Sequence, residues 1–125
     1  MTTTPNMILL YVKDTAASAA FYGDLLGQPA MNASPNFAAL PLDNGMTLGL
    51  WGRAQAKPAT SATANGANGE IVFMVENKAK IDTLYADWRQ RGLRIEQELT
   101  ELDFGPTFVA LDPDGHRLRV CLPDA

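Results

Sequence analysis

Met7-Ile8-Leu9-Leu10-Tyr11-Val12-Lys13-Asp14 and, 63 residues further on, Glu70-Ile71-Val72-Phe73-Met74-Val75-Glu76-Asn77 decide how this chain folds. Each is an apolar run of strand length closed by a helix-capping residue. Each is followed at the same offset by a helical stretch, with Phe21-Tyr22 in the first copy and Leu84-Tyr85 in the second. The far ends agree as well. Phe37-Ala38-Ala39-Leu40 through Gly45-Met46-Thr47-Leu48-Gly49-Leu50 parallels Phe108-Val109-Ala110-Leu111 through Gly115-His116-Arg117-Leu118-Arg119-Val120, with one residue of slippage. A duplicated module is the economical explanation. Each copy is too small to close a core alone, so the seam between copies is where a site is expected.

The repeat predicts an α+β domain over residues 1–125, made of two tandem βαβββ modules, about 5–53 and about 70–123, with a linker of about 54–69. In the first strand Ile8, Leu10 and Val12 alternate with Met7, Leu9 and Tyr11, apolar on both sides, which predicts burial on both faces. Asp14 caps a helix running to about Leu26, where Ala17, Phe21 and Leu25 form the stripe and Gly27 the stop. Asn77 caps the second helix, Ile81, Leu84, Tyr85 and Trp88 line its inner face, and Gly92 ends it. Further strands are expected near Ala30–Ala33, Asn36–Leu40, Met46–Trp51, Arg94–Leu99, Thr107–Leu111 and His116–Leu122. Asp43-Asn44-Gly45 and Asp112-Pro113-Asp114-Gly115 read as hairpin turns, because Asn and Gly tolerate positive φ and Pro fixes it. The stretch from Arg53 to Gly69, rich in Ala, Thr, Asn and Gly, shows no apolar periodicity. It reads either as a flexible surface loop or as a lid.

Composition restricts the function classes. The net charge is -4 and the ten Lys and Arg are scattered, whereas a nucleic-acid surface needs them clustered, so no nucleic-acid partner is expected. No apolar run approaches the roughly 20 residues of a membrane span, so no membrane partner is expected either. The N-terminal Met1-Thr2-Thr3-Thr4-Pro5 lacks signal-peptide regions, and the lone Cys121 has no partner for an internal disulfide. The cytoplasm is the expected compartment.

Tyr11-Val12-Lys13-Asp14, then Ser18-Ala19-Ala20-Phe21-Tyr22, Leu25-Leu26-Gly27 and the later Leu111-Asp112-Pro113-Asp114-Gly115-His116, resemble the glyoxalase, bleomycin-resistance and extradiol-dioxygenase superfamily across nearly the whole chain. The resemblance implies βαβββ modules whose mixed sheets curl around a cleft, commonly in a homodimer. It implies no single chemistry, because the family includes isomerases, dioxygenases and drug binders. Its enzymes usually hold a divalent metal at four positions that here fall on Met7, Gly49, Glu70 and Arg119. Only Glu70 is an ordinary ligand, and a divalent ion needs about three protein donors, so no metal and no cofactor are expected. His116, the single histidine, cannot build a multi-histidine site and reads as a turn residue.

If Glu70 and Arg119 share a face they can pair, either as a structural ion pair or as a polar anchor in which Arg119 meets a ligand carboxylate or carbonyl. Trp51 lies two residues beyond Gly49 and so on its face, where Gly49 leaves room. Met7, Leu9, Tyr11, Val72 and Met74, with Phe37, Phe104 or Phe108, and Cys121 near the last strand's end, complete the candidate ligand wall. The plain alternative makes each of them core; Trp88 and Phe21 read as core outright.

Within the family the resemblance is to antibiotic-sequestering members, through Leu50-Trp51, Glu70 and Asp112-Pro113-Asp114-Gly115-His116 with Arg119-Val120-Cys121. It implies binding of a planar aromatic antibiotic, such as a phenazine, without turnover, for resistance or self-protection. Two other readings stand beside it. One is a lyase- or isomerase-like enzyme with Glu70 as general base, Tyr11 as proton donor or Cys121 as nucleophile. The other is a degenerate member whose pocket its own side chains fill.

Overall fold

Five elements, a strand, a helix and three strands, occur twice in the computed structural model, which describes residues 5–56, 70–102 and 105–122. They fall into two units, Met1–Ala62 and Thr63–Ala125. The first contains β1 (Met7–Val12), α1 (Thr15–Leu26), β2 (Met31–Ser34), β3 (Phe37–Pro41) and β4 (Thr47–Gly52). The second contains β5 (Glu70–Met74), α2 (Lys78–Gln90), β6 (Arg94–Leu102), β7 (Gly105–Leu111) and β8 (Arg117–Cys121). Sheet orders are β1-β4-β3-β2 and β5-β8-β7-β6, with the first strand of each unit parallel to the last and the rest antiparallel. The α+β class and the twofold βαβββ build are as expected.

The capping chemistry repeats with the topology. Asp14 Oδ1 accepts from the Ala17 amide at 3.1 Å and Asn77 Oδ1 from the Lys80 amide at 2.9 Å, each satisfying a donor that an α-helix leaves open at its start. Gly27 ends α1 with φ 65°, a left-handed conformation that a side chain resists. The β3–β4 turn closes with Leu42 N–H donating to Met46 O at 2.8 Å, and the β7–β8 turn with Asp112 N–H donating to His116 O at 3.0 Å.

Each helix covers one face of its own sheet. In the second unit Trp88 meets Phe73 and Phe108 edge-on at 5.5 and 5.4 Å, and Tyr85 meets Phe108 at 5.0 Å. Ile81, Leu118, Val120 and Ala110 are buried with them. In the first unit α1 packs on β3 and β4, and Tyr22, Ala19 and Ser18 are buried along with Val12, Ala38, Leu40, Leu48 and Leu50.

Four expectations are corrected. The stripe of α1 runs through Thr15, Ser18, Ala19 and Tyr22, not through Ala17, Phe21 and Leu25. Phe21 is only half-buried, its ring edge-on to Tyr22 at 5.1 Å, so it is not core. β1 is not buried on both faces: it is the edge strand of its sheet, and Met7, Ile8 and Leu9 are 44, 40 and 38% exposed. Phe108 faces α2 rather than a ligand wall. The expected linker is folded at its start, where Ala56 is buried and donates to Gly52 O at 3.0 Å; the rest of it, with the question of a lid, lies outside the described residues. No described helix is long and apolar enough to cross a membrane.

Candidate functional site

On the face of the first sheet turned away from α1, registers align Leu9 with Gly49 and Ala39, and Tyr11 with Trp51 and Phe37. Period-two alternation therefore sets Met7, Leu9, Tyr11, Phe37 and Trp51 on one side around Gly49. Tyr11 and Trp51 stand 6.5 Å apart between centroids at 63°. Gly49 is buried. A Cβ there would lie 2.9 Å from Leu9 Cδ1, 3.3 Å from Met7 Sδ and 3.6 Å from Phe37 Cζ. The room expected beside Gly49 is thus filled by the ends of two flexible side chains and one ring. Trp51, Tyr11 and Phe37 remain partly exposed. Met7, Leu9, Tyr11, Phe37 and Trp51 supply aromatic, aliphatic and thioether surface and none of the five carries a charge, which suits stacking on a flat ring.

The second sheet presents a different face. Register places Val72 beside Arg119 and Val109, and Met74 beside Cys121 and Thr107. Arg119 donates from Nε to Glu70 Oε1 at 2.7 Å and from Nη2 to Glu70 Oε2 at 3.0 Å, a two-point ion pair. Its Nη1 reaches Gln97 Oε1 at 3.2 Å and Thr107 Oγ1 at 3.1 Å, and Thr107 is itself pinned by donating to Val120 O at 2.8 Å. Arg117 lies 3.6 Å from Glu70 and 3.2 Å from Glu96. Val72 and Met74 are 46 and 73% exposed beside this polar centre, while Cys121 is buried. Phe104 lies outside the described residues. Gln97, Thr107 and Arg117 were not anticipated; the alternation of Arg117 and Arg119 with Leu118 and Val120 was the available signal.

Hydrogen bonds from Arg119 hold the Glu70 carboxyl below the usual carboxylate range, against an upward push from partial burial and helped by the charges of Arg119 and Arg117. The same pairing raises Arg119. A carboxylate stabilised in this way is a weak base, which counts against general-base catalysis by Glu70. Because the folded carboxyl is more acidic than the unfolded one, its stabilising contribution is present at neutral pH. It is lost as pH falls below the usual carboxylate range. Urea melts between pH 7 and pH 3 are expected to show a shallower acid decline for Glu70→Gln than for the wild type, and superimposable declines would contradict the pairing.

The four positions at which the family's enzymes hold a metal do not fit one here. Met7 and Gly49 offer no hard donor, Arg119 is a cation, and both oxygens of Glu70 accept from Arg119. Asp112, Asp114 and His116 bring ligand-type atoms within 4.8 Å of one another. Their geometry is that of a turn brace: Asp112 Oδ1 accepts from the amides of Asp114 at 2.9 Å and His116 at 2.8 Å, and Oδ2 meets His116 Nδ1 at 2.8 Å. His116 is a turn residue, as read from the sequence. An open depression of about 490 Å³ beside α1 is lined by small side chains, including Ala16, Ala20, Gly23 and Gly27, with no aromatic wall.

The twofold βαβββ build is that of a known class of small α+β proteins, and the family model for the Glyoxalase/Bleomycin resistance protein/Dioxygenase superfamily matches residues 4–120. The chain belongs to that superfamily. It is 28% identical to the phenazine antibiotic resistance protein EhpR of Enterobacter agglomerans, over 96% of this chain and 92% of that protein. The solution structure of a protein from Agrobacterium tumefaciens is 43% identical with a TM-score of 0.86, covering 99% of this chain and 100% of that one. A glyoxalase/bleomycin resistance protein/dioxygenase from Nocardioides shares the fold with a TM-score of 0.82 at 22% identity, over 100% of this chain and 87% of that one.

Proposed function

We propose that this protein binds a planar aromatic small molecule, a phenazine or a compound of that shape, and holds it without turnover as a means of antibiotic resistance. The observation that carries the reading is the aromatic and apolar cluster in which Met7, Leu9, Tyr11, Phe37 and Trp51 surround Gly49, partly exposed rather than sealed into a core. The similarity to EhpR supports the ligand class. A donor set unfit for a metal and a Glu70 carboxylate tied to Arg119 favour binding over catalysis. On the second sheet, Glu70, Arg119, Met74 and Cys121 are included as ligand-facing residues. A homodimer belongs to the same proposal; light scattering should return twice 13.5 kDa, and a 13.5 kDa species at micromolar concentration would overturn that part.

A flat ligand of roughly 20 heavy atoms, at about 0.3 kcal/mol per atom, is expected to bind with a dissociation constant of tens of micromolar. Stacking on Trp51 should carry much of this. Titrating the indole fluorescence with phenazine is expected to show saturable quenching, and Trp51→Ala is expected to weaken binding by about 5- to 150-fold, a loss of about 1–3 kcal/mol. Unchanged affinity in Trp51→Ala would place the ligand elsewhere. Absence of binding by phenazines up to millimolar concentration would remove the reading altogether.

A further inference from the structure

We infer that Glu70 acts as a charge filter: by occupying the guanidinium fork of Arg119 it restricts the protein to flat ligands whose polar edge carries no carboxylate. This rests on the small-molecule reading above, and on the part of it that gives the second sheet a share in ligand contact. The geometry carries the argument. An arginine attracts a ligand carboxylate most strongly by presenting two parallel N–H groups. In Arg119 those groups are Nε and Nη2, and both already donate to the two oxygens of Glu70, at 2.7 and 3.0 Å. Nη1 is directed to Gln97 and Thr107 at 3.2 and 3.1 Å.

Gln97 stands on β6 and Thr107 on β7, so the orientation of the guanidinium is set from two neighbouring strands as well as by Glu70. The next cation on the strand, Arg117, is engaged in turn by Glu70 at 3.6 Å and Glu96 at 3.2 Å. A ligand carboxylate arriving at this face meets two arginines matched by two glutamates. To gain the fork it must expel Glu70, leaving that carboxylate beside the incoming charge. An uncharged ring edge bears no such penalty, and Val72 and Met74 offer it apolar surface next to the pair.

Wild type, Glu70→Gln and the double variant Glu70→Gln/Arg119→Gln, each titrated with phenazine and with phenazine-1-carboxylate at pH 7 by fluorescence quenching, test the filter. The wild type is expected to prefer phenazine by about tenfold or more, since like charges brought together cost affinity. Glu70→Gln removes the competing carboxylate, and should narrow or invert the ratio chiefly by tightening the carboxylate compound. The double variant, lacking the guanidinium, should lose that gain. Equal binding of both compounds by the wild type overturns the filter and leaves the binding reading standing. So does a ratio unmoved in Glu70→Gln, or a gain that persists in the double variant. If neither compound binds any of the three proteins, and all three melt cooperatively, the binding reading fails and the filter with it.

Discussion

Trp88→Ala is expected to destabilise the fold by about 3–5 kcal/mol, the cost of emptying a large aromatic site that its neighbours cannot collapse into. Trp88 is 3% exposed and meets the edges of Phe73 and Phe108 at 5.5 and 5.4 Å. Each of those partners belongs to a different strand of the sheet that α2 covers. Removing the indole therefore loosens the helix from two strands at once. The same substitution at Trp51 is expected to cost about 1 kcal/mol, on the scale of one aromatic pair, because its ring meets that of Tyr11 at 6.5 Å and it remains partly exposed. Urea unfolding of the two variants beside the wild type measures both. Equal losses would mean that Trp51 is core, and would remove the open aromatic face from the proposed function.

Much of the architecture was legible because the repeat is written in residues with local physical roles. Asp14 and Asn77 are 63 positions apart and both cap helices through the same contact, so one reading of the motif predicted two helix starts. The second helix was equally plain, since Ile81, Leu84, Tyr85 and Trp88 stand out against charged and polar neighbours. The first helix was misread for the opposite reason. Thr15-Ala16-Ala17-Ser18-Ala19-Ala20 offers almost no apolar contrast, and small residues are buried or exposed according to what the sheet presents rather than to their own character. The aromatic face was legible from period two alone, which put Gly49, Trp51, Leu9 and Tyr11 on their sides of β4 and β1.

The surroundings of Arg119 were not legible. Glu70 was reachable through the family resemblance, but Gln97 and Thr107 depend on the register of β6 against β7, which shifts between Ile95 and Gln97 and again between Gln97 and Thr100. Irregularities of this kind re-aim side chains and leave little trace in a single sequence. The consequence for chemistry is large. From sequence, Arg119 read equally as a ligand anchor; in the structure four of its hydrogen bonds go to protein acceptors.

Asp112→Ala is expected to cost about 3 kcal/mol of folding stability, far more than an ordinary turn substitution, because one buried carboxylate satisfies three donors. Asp112 is 1% exposed, and its oxygens accept from the amides of Asp114 and His116 at 2.9 and 2.8 Å and from His116 Nδ1 at 2.8 Å. Truncation leaves two backbone amides and an imidazole to find water inside the end of the β7–β8 hairpin, where each unmet group costs about 1–3 kcal/mol in full burial and less where water reaches it. For a chain of 125 residues this corresponds to a fall in Tm of roughly 10 °C. His116→Ala separates the parts. It removes the imidazole contact and leaves both amide bonds to Oδ1, so about 1 kcal/mol is expected. The order of the two losses is the test. Should His116→Ala prove as damaging as Asp112→Ala, the imidazole rather than the amide cap would be the element that holds β8, and with it Arg119, in place. Thermal melts of both variants at pH 7 decide between them.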